Sequence, residues 1–373
     1  MRRTLRGRWQ RGIYYLPVTC WKETKEEITM RRRYILALTL LVFLFSISQG
    51  HARRRRTKPV IVAHRGASGY LPEHTLEAKA LAYGMSPDFI EQDVALTKDN
   101  VPIVIHDHYL DTVSNVAKVY PKRKRKDGRY YAIDFKMKEI RRLKVFERIS
   151  LKTGKAVYPK RFPLTKKIPF TIATLEEEIE LIRGLNKSTG KNIGLYIEMK
   201  APRFHRKEGK DIAKIVIKLL RKYGYDTRRA NVYLQCFDPK CLKRLRYFYG
   251  AKVKLVQLVA EPEWNETPGV NFPKMLTHAG IKKVARYADG LGPHIPMLFS
   301  MNKKGKVKIT KVCKWAQKAG MKVHPYTARK DALPENVKSM RQLFYILFRK
   351  VGVDGVFTDF PDEGVAYVNK RRR

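Results

Sequence analysis

The sequence predicts an α/β protein of the (β/α)8 barrel class, and three observations support this prediction. From Val60 onward, short β-branched runs alternate with longer amphipathic stretches. The strand candidates are almost continuously apolar, which is typical of parallel strands covered on both faces. Their number, eight, favours a closed barrel over an open sheet. In chain order they are Val60–Ala63, Phe89–Val94, Ile193–Glu198, Val232–Gln235, Val253–Leu258, Ala288–Leu291, Lys322–Pro325 and Gly355–Thr358.

Helical candidates occupy the intervals between these strands, with apolar residues at helical spacing. They are Thr75–Tyr83, Leu175–Leu185, Lys210–Tyr223, Pro239–Tyr249, Thr310–Lys318 and Pro334–Phe348.

One more strand-like run, Val101–Ile105, does not fit this alternation. Only Thr97–Asn100 separates it from the preceding strand, whereas a parallel crossover needs a dozen residues or more. We therefore predict an antiparallel hairpin whose turn is supplied by Asp99–Asn100. The hairpin opens a small insertion after the second barrel strand, at about residues 101–169. The charged loop Pro121–Arg129 within it is most simply a solvated surface, and a lid over an anionic substrate is the alternative.

Composition indicates a sizeable core and anionic partners. The chain has 373 residues, of which 44% are hydrophobic, and its 79 Lys and Arg residues against 34 Asp and Glu give a net charge of +45. Such a charge attracts phosphorylated substrates and leaves open peripheral contact with an anionic membrane surface. Zinc-finger spacing, heptads and an aromatic RNA-binding signature are missing from the sequence, which argues against nucleic acid as a partner.

The N-terminal segment is predicted to be a targeting signal. Arg31–Arg33 precede the apolar stretch Tyr34–Ile47, and small residues follow at Gly50 and Ala52. This is the pattern of a secretory signal at about residues 30–52, with cleavage after about Ala52 and export to the periplasm or beyond. An uncleaved anchor is the alternative. Residues 1–29 are interpreted as an upstream extension, which assigns 57–373 to the catalytic domain.

Acidic side chains occur at the carboxyl ends of two candidate strands. Residues at i and i+2 share a face of a strand, so Glu91 and Asp93 point together, and so do Glu198 and Lys200. Three carboxylates in one barrel mouth repel one another unless a cation lies between them. Hard oxygen ligands suit Ca²⁺ or Mg²⁺ better than zinc. The alternative is that each acid pairs with a lysine or arginine of this basic chain.

Two histidines lie at the same ends of the strands. His64 precedes Arg65, and His106 precedes Asp107, which can orient its ring. Cleavage of a phosphodiester near neutral pH requires a base for the attacking hydroxyl and an acid for the departing alkoxide, and two imidazoles can fill both roles. Arg65 offers a forked donor to phosphate oxygens, and Lys200 a compact positive charge. These residues together suit metal-assisted cleavage of a phosphodiester.

Six short blocks in order resemble the glycerophosphodiester phosphodiesterase family, most closely its exported bacterial branch, over nearly all of the chain from Pro59. This family is a TIM barrel with a small inserted region after the second strand, in agreement with the predicted hairpin. The blocks are His64-Arg65-Gly66-Ala67, Pro72-Glu73-His74-Thr75, Glu91-Gln92-Asp93-Val94, Pro102-Ile103-Val104-Ile105-His106-Asp107, Tyr196-Ile197-Glu198-Met199-Lys200 and Phe357-Thr358-Asp359-Phe360-Pro361-Asp362.

The resemblance implies hydrolysis of glycerophosphodiesters to sn-glycerol 3-phosphate and an alcohol. It also implies roles for individual residues, and it marks His74 as typical of the exported branch, not as a catalytic group. The implied roles are an acid/base pair of His64 and His106, a divalent cation held by Glu91, Asp93 and Glu198 with calcium favoured over magnesium, phosphate or substrate contacts from Arg65, Lys200 and Gln235, and support from Glu73 behind them.

Two alternative functions remain open at this point. A related phospholipase D-like phosphodiesterase that acts on intact lipids would share the same ligands. A non-catalytic basic protein could instead use a degenerate barrel to hold anionic polymers or lipids, although the retained acids and histidines argue against it.

Overall fold

A computed structural model describes residues 58–164 and 167–370, together with eight positions between residues 25 and 36. The chain divides into two compact units, Met1–Arg56 and Thr57–Arg373. The described positions of the first unit are helical. Most of the predicted signal, including its cleavage site near Ala52, lies outside the described residues. Among those that are described, no helix has both the length and the apolar content that a membrane crossing requires.

The second unit contains the eight-stranded parallel barrel that the sequence predicts. The strands are β1 (Val60–Ala63), β2 (Phe89–Leu96), β3 (Pro102–Val104), β4 (Gly194–Met199), β5 (Val232–Cys236), β6 (Lys254–Val259), β7 (Gly290–Pro293), β8 (Phe299–Met301), β9 (Val307–Ile309), β10 (Lys322–Val323) and β11 (Gly355–Thr358). The order of strands in the barrel is β10-β7-β6-β5-β4-β2-β1-β11, and every neighbouring pair along it is parallel. Within the described residues, three further strands lie outside the barrel: β3, β8 and β9.

Backbone hydrogen bonds between the segment that continues β10 and the last strand bridge the remaining seam. The amide of Asp354 donates to the Val323 carbonyl at 3.0 Å, and that of Phe357 donates to Pro325 at 3.0 Å. The amide of Ala328 in turn donates to Phe357 at 2.8 Å. The strands therefore close around a continuous core, and their carboxyl ends meet at one mouth.

Helices cover the outside of the barrel. All six predicted helices are present; the fourth and sixth continue as π-helical turns at Arg244–Phe248 and Ile346–Val351. Short 3₁₀ turns lie at Pro121–Arg123, Ala132–Asp134, Pro262–Trp264 and Ile295–Met297. The α-helices are α1 (Leu76–Gly84), α2 (Val116–Val119), α3 (Met137–Ile140), α4 (Leu175–Thr189), α5 (Pro202–Lys207), α6 (Ile212–Lys222), α7 (Pro239–Lys243), α8 (Phe272–Met275), α9 (His278–Val284), α10 (Val312–Lys318), α11 (Met340–Tyr345) and α12 (Pro361–Asn369).

The predicted hairpin is present between β2 and β3, which pair antiparallel with Val94 opposite Val104. Asn100 adopts φ 63° in its turn. The insertion extends to Ala173, whose carbonyl accepts from the Val104 amide at 2.8 Å. It has a hydrophobic cluster of its own, centred on buried Leu110, Phe135 and Ile140 among others. The insertion is therefore a packed substructure at the barrel mouth and not an extended loop.

The charged loop Pro121–Arg129 is paired on the surface of the insertion. Arg125 donates to Asp134 at 2.7 Å and to Glu208 at 2.7 Å. Arg129 donates to Asp111 at 2.8 Å. Among the described residues that line the cavity at the carboxyl ends of the barrel strands, none belongs to this loop. These contacts favour the solvated-surface interpretation over a lid.

Candidate active site

A cavity of about 320 Å³ opens at the carboxyl ends of the barrel strands. It brings together seven of the residues that the sequence singled out: His64, Arg65, Glu91, His106, Glu198, Lys200 and Gln235. Its outer part is lined by Phe237, Trp264, Glu266, His294, Tyr326 and Arg329 among others. The two remaining predicted residues, Asp93 and Glu73, stand behind this lining and contact its members.

Strand register explains why distant acids meet. Asp93 on β2 is the partner of Glu198 on β4, and Glu198 is the partner of Gln235 on β5. Partners in a parallel sheet lie at the same height, so these three polar residues form one layer at the rim. All three are buried. The Gln235 Oε1 atom has no hydrogen-bond partner among the described residues.

One group of side chains is close enough to share a cation. Ligand atoms of His74, Glu91 and Asp93 lie within 4.8 Å of one another, and all three residues are buried. The Oδ1 atom of Asp93 is buried without a hydrogen-bond partner in the described part of the chain. A buried carboxylate oxygen left bare is costly, and a bound cation would satisfy it. The donor set therefore fits a divalent ion at Glu91 and Asp93.

The hydrogen bonds of His74 make it a donor to Asp93. Lys79 Nζ lies 3.3 Å from His74 Nδ1 and forms an ion pair with Glu178 at 2.9 Å. An ammonium can only donate, so Nδ1 accepts and Nε2 carries the ring proton. That Nε2 lies 2.8 Å from Asp93 Oδ2. His74 thus orients the aspartate, which agrees with its lack of a catalytic assignment from the sequence.

The pKa shifts of the acids reflect their crowding. Burial and the neighbouring charge of Asp93 raise the pKa of Glu91 well above its usual value. Burial also opposes ionisation of Asp93, but Lys200 and the His74 hydrogen bond hold the pKa of Asp93 well below its usual value. A positive ion beside Glu91 would keep both groups ionised.

Glu198 forms an ion pair with a lysine side chain. Its Oε1 accepts from Lys200 Nζ at 2.7 Å, and Lys200 also lies 3.6 Å from Glu266 Oε1. Burial raises the pKa of Glu198 to about 8 even though Lys200 opposes the shift. Glu198 therefore fits the alternative in which an acid pairs with a lysine. The group of ligand atoms within 4.8 Å of one another contains His74 and not Glu198. Its predicted role as a third metal ligand stays a prediction.

Arg65 contacts both Glu91, an acid of the candidate cation site, and Glu73. Its backbone amide donates to Glu91 Oε2 at 2.6 Å, and its Nη1 donates to Glu73 Oε2 at 2.8 Å. The residue adopts φ 58° and the next, Gly66, φ 86°. A Cβ on Gly66 would meet the Ala78 carbonyl oxygen at 2.8 Å, so only glycine allows the turn to pack this closely. The contact with Glu73 gives that residue the supporting position expected of it.

His64 follows β1, and its ring is oriented by a residue at the end of the neighbouring strand, β11. Its Nδ1 donates to Asp359 Oδ1 at 2.6 Å, directly after β11. The second oxygen of Asp359 accepts from Arg161 at 2.7 Å and from Arg329 at 2.7 Å. Burial, followed by the charge of Arg65, lowers the pKa of His64 to about 4. The ring is therefore neutral at pH 7, with Nε2 available as a proton acceptor.

His106 follows β3 and is oriented by its neighbour in the chain. Its Nδ1 donates to Asp107 Oδ1 at 2.7 Å, as the sequence predicts. Asp107 Oδ2 accepts from Arg148 at 2.7 Å and from Thr112 at 3.0 Å. Burial lowers the pKa of His106 to about 4, with further contributions from Arg65 and Lys200. Both histidines thus have the same arrangement of ring, carboxylate and guanidinium.

Several residues of this arrangement carry no role in the sequence analysis. Asp359 stands in one of the six blocks, directly after the last strand, and that position was a usable signal. Arg148, Arg161 and Arg329 gave none, because arginines are common along this chain. Only the folded chain shows that Arg148 and Arg161 of the insertion and Arg329 after β10 reach the site.

Comparisons with known proteins agree with this geometry. The model of the glycerophosphoryl diester phosphodiesterase family matches residues 64–363. A glycerophosphodiester phosphodiesterase of Haemophilus influenzae is 47% identical over 352 residues, which cover 90% of this chain and 96% of that protein. One from Treponema pallidum is 41% identical over 361 residues, covering 92% of this chain and all of its own length.

Solved structures share the barrel. A Silicibacter pomeroyi structure described as a glycerophosphoryl diester phosphodiesterase superposes with a TM-score of 0.63 at 20% identity, over 85% of this chain and 96% of its own. An Oleispira antarctica phosphodiesterase in complex with the product sn-glycerol-3-phosphate superposes with a TM-score of 0.55 at 20% identity, over 83% and 97% of the two chains. With the fold, the matched family model and two full-length relatives in agreement, the chain belongs to the glycerophosphoryl diester phosphodiesterase family and is a phosphoric diester hydrolase.

Proposed function

We propose that the protein hydrolyses glycerophosphodiesters to sn-glycerol 3-phosphate and an alcohol, with a divalent cation and two histidines as acid and base. The observation that carries this proposal is the pair of histidines in one cavity, each with Nδ1 bonded to a carboxylate. Such a bond leaves Nε2 of each ring for substrate. The names of the relatives and the product bound to the Oleispira protein support the choice of substrate.

Glu91 and Asp93 would hold the cation, with Glu198 as the third ligand if it exchanges Lys200 for the ion. When bound, a divalent cation supplies charge stabilisation for the phosphate oxygens and for a coordinated hydroxyl. Oxygen donors on a pair of strands suit calcium, whose geometry is more tolerant than that of magnesium. Arg65 and Lys200 add fixed positive charge for the phosphate.

The environments of the two rings suggest a division of labour. Arg65 and Lys200 both lower the pKa of His106, and both are proposed to contact the phosphate. A bound anionic diester would neutralise these charges and raise the pKa of His106. Burial is the first cause at both rings, but of these two cations only Arg65 lowers the pKa of His64, so a bound diester should raise the pKa of His64 less. We therefore assign His64 as the base and His106 as the acid that protonates the departing oxygen.

The test is release of sn-glycerol 3-phosphate from glycerophosphocholine with calcium present. H64A and H106A should each lower kcat by about a hundredfold or more, since a positioned acid or base contributes at least that much. H278A is a matched control, because His278 is exposed on α9 and packs against Trp315, away from the cavity residues. A folded H64A or H106A protein with normal turnover would remove that histidine from the mechanism.

Removal of the metal tests the cation site separately. A chelator should abolish turnover and calcium should restore it. Calorimetry should show that E91Q binds calcium at least about tenfold more weakly than wild type, because a buried ionised ligand is lost. E176Q is the control, since Glu176 pairs with exposed Lys222 on the helical surface. Equal calcium affinity of wild type and E91Q would contradict the site.

Lipid substrates separate the alternatives. Release of the head group from sphingomyelin or lysolipid at rates above those on glycerophosphocholine would favour a phospholipase D-like activity. Metal-independent binding without turnover would favour a basic surface protein.

Export is part of the same proposal and rests on the predicted signal at about residues 30–52. When cells that express the full sequence are fractionated, the periplasm or medium should contain a mature chain that starts shortly after Ala52. N-terminal sequencing checks this, and an uncleaved chain in the membrane fraction would contradict it.

A further inference from the structure

Two arginines of the insertion reach the two histidines from behind. Arg148 and Arg161 both lie between β3 and α4, well outside the barrel strands. Arg148 bonds the carboxylate that orients His106, and Arg161 bonds the carboxylate that orients His64. One inserted segment therefore contacts both halves of the acid/base pair.

Arg148 links Glu73, which accepts from Arg65, to the carboxylate that orients His106. Its Nη1 donates to Asp107 Oδ2 at 2.7 Å, while its Nη2 donates to Glu73 Oε1 at 2.6 Å. Its Nε also reaches Glu73 Oε2, at 3.2 Å, the oxygen that accepts from Arg65 at 2.8 Å. Charges of alternating sign thus run without a gap from Arg65 through Glu73, Arg148 and Asp107 to the ring of His106.

Arg161 is held still more firmly. Its side chain is only 4% exposed, and its guanidinium stacks 3.7 Å from the centre of the Tyr158 ring. Its Nη2 donates to Asp359 at 2.7 Å, and its Nη1 donates to the Ser68 carbonyl at 3.2 Å. Arg329 donates to the same Asp359 oxygen at 2.7 Å, so that this carboxylate has two guanidinium partners.

The insertion fixes Arg148 through its own backbone pairing. The Ile149 amide donates to the Thr112 carbonyl at 2.9 Å, and the Phe146 amide donates to Val113 at 3.0 Å. The same Thr112 donates its hydroxyl to Asp107 at 3.0 Å. Arg148 and Thr112 therefore approach the carboxylate from adjacent segments of one packed unit.

A carboxylate held on one oxygen by a guanidinium presents its other oxygen in a fixed direction and stays ionised. An ionised carboxylate can only accept, so the facing ring nitrogen must carry the proton and the far nitrogen must be free. A ring without this restraint can rotate or present its other tautomer, and either change removes the basic nitrogen from the cavity.

We propose that the insertion is a positioning element for the acid/base pair, in which Arg148 and Arg161 hold the two carboxylates that set ring orientation and tautomer. Arg148 is the sole guanidinium on Asp107 among the described residues, whereas Arg161 shares Asp359 with Arg329. The inference rests on the proposed acid/base roles of His64 and His106. It makes both arginines positioning residues that do not touch substrate.

Kinetics of matched arginine variants test the proposal. R148A should lower kcat about a hundredfold, near the lower end of what a positioned acid or base contributes, with little change in KM. R161A should lose less, about tenfold or below, because Arg329 remains on the carboxylate. R123A is the control: Arg123 lies in the same insertion and bonds Glu139 at 2.8 Å, remote from both histidines.

Chemical rescue separates positioning from mere stabilisation. Added guanidinium at low, non-denaturing concentration should restore a large part of the R148A turnover, because it can reoccupy the vacated site between Glu73 and Asp107. R148K keeps the charge but not the fork; it should fold and remain impaired, and it carries the test if R148A does not fold.

Near-normal kcat in folded R148A or R148K would overturn the inference. The inference would also be overturned if guanidinium did not restore the turnover of R148A and if this loss of turnover accompanied a fall in Tm as large as that of R123A. H106A measured in the same assay keeps the two proposals apart. If H106A is inactive while R148A is normal, only the positioning role fails, whereas an active H106A removes the acid/base role on which it rests.

Discussion

The two histidine–carboxylate pairs have the same chemistry in different surroundings. His64 and Asp359 are separated by 295 positions in the chain and meet at the ends of the paired strands β1 and β11, whereas His106 and Asp107 are adjacent. The Asp359 side chain is 2% exposed and has two arginine partners; the Asp107 side chain is 23% exposed and has one. The first pair is therefore part of the barrel core, while the second belongs to the insertion.

This difference in burial predicts different effects of substitution on catalysis and on folding stability. Removal of a buried charge takes an ionised partner away from each opposite charge that it faces, and such losses destabilise proteins strongly. When a partly exposed charge is removed, water can solvate the charges that remain, so the loss of folding stability is much smaller. Changes at Asp359 should thus affect folding and catalysis together, and changes at Asp107 mainly catalysis.

Asparagine substitution of the two aspartates should produce the largest effects. D107N and D359N should each lower kcat by about a hundredfold to ten-thousandfold, because a neutral amide no longer fixes the ring tautomer. Only D359N should also lower Tm clearly, since Arg329 would lose its ion pair with Asp359 and Arg161 would keep, among the described residues, only its pair with Asp331. Steady-state kinetics and thermal melts of both variants check this.

D127N serves as a control for the melts, because Asp127 is exposed in the charged loop and contacts only its neighbours Arg129 and Tyr131 among the hydrogen-bond partners described. Equal losses of Tm in D107N and D359N would show that the two pairs do not differ in the way their burial indicates.

The pH dependence of activity should be intermediate in size. The pKa of His64 is about 4, below its ordinary value of 6.5, so the base stays neutral until the pH approaches 4. As pH falls below that value, the ring becomes protonated and kcat/KM should drop about tenfold per pH unit. At saturating calcium, protonation of His64 should therefore not lower kcat/KM between neutral pH and about 5.

The two rings can be told apart in the same profiles. Substrate neutralises Arg65 and Lys200 and should raise the pKa of His106, so an acid required in the complex titrates at higher pH than in the free enzyme. The alkaline decline of kcat should then lie at higher pH than that of kcat/KM. An acidic limb near 6.5 would contradict the buried, neutral state of His64.

The smallest effect is expected at Thr112. T112V removes the hydroxyl that donates to Asp107 Oδ2 at 3.0 Å but leaves Arg148 on the same oxygen. A hydrogen bond to a charged group contributes about 1.5 kcal/mol or more, and at that lower end its removal corresponds to a loss of about tenfold in kcat. Kinetics of T112V beside R148A would check it; a loss as large as that of R148A would transfer the main positioning role to the hydroxyl.

Local patterns predicted the barrel and much of its rim. Apolar runs of four to six residues identified all eight barrel strands, and residues that follow them directly, such as His64 and Lys200, line the cavity. The His106–Asp107 contact was also predictable, because adjacent residues meet whatever the rest of the chain does. The hairpin at Asn100 followed from the shortness of its connection.

Contacts that depend on tertiary packing could not be predicted in this way. Asp359 reaches His64 only because the barrel closes, and Arg148 reaches Asp107 only because the insertion folds over the mouth. Lys79 sits on a helix and has the pattern of a surface residue, yet it is fully buried and determines the tautomer of His74. In such a basic chain, charge alone does not distinguish these residues from the many solvated ones.

The shared height of Asp93, Glu198 and Gln235 has a consequence for how this enzyme can fail. A slip of β4 by one residue against β2 would turn Glu198 outward and bring the apolar Met199 into the mouth, because alternate side chains face opposite sides of a strand. Misaligned barrels would then be inert species even if compact. Selection for turnover in this protein is thereby also selection for one alignment of its strands.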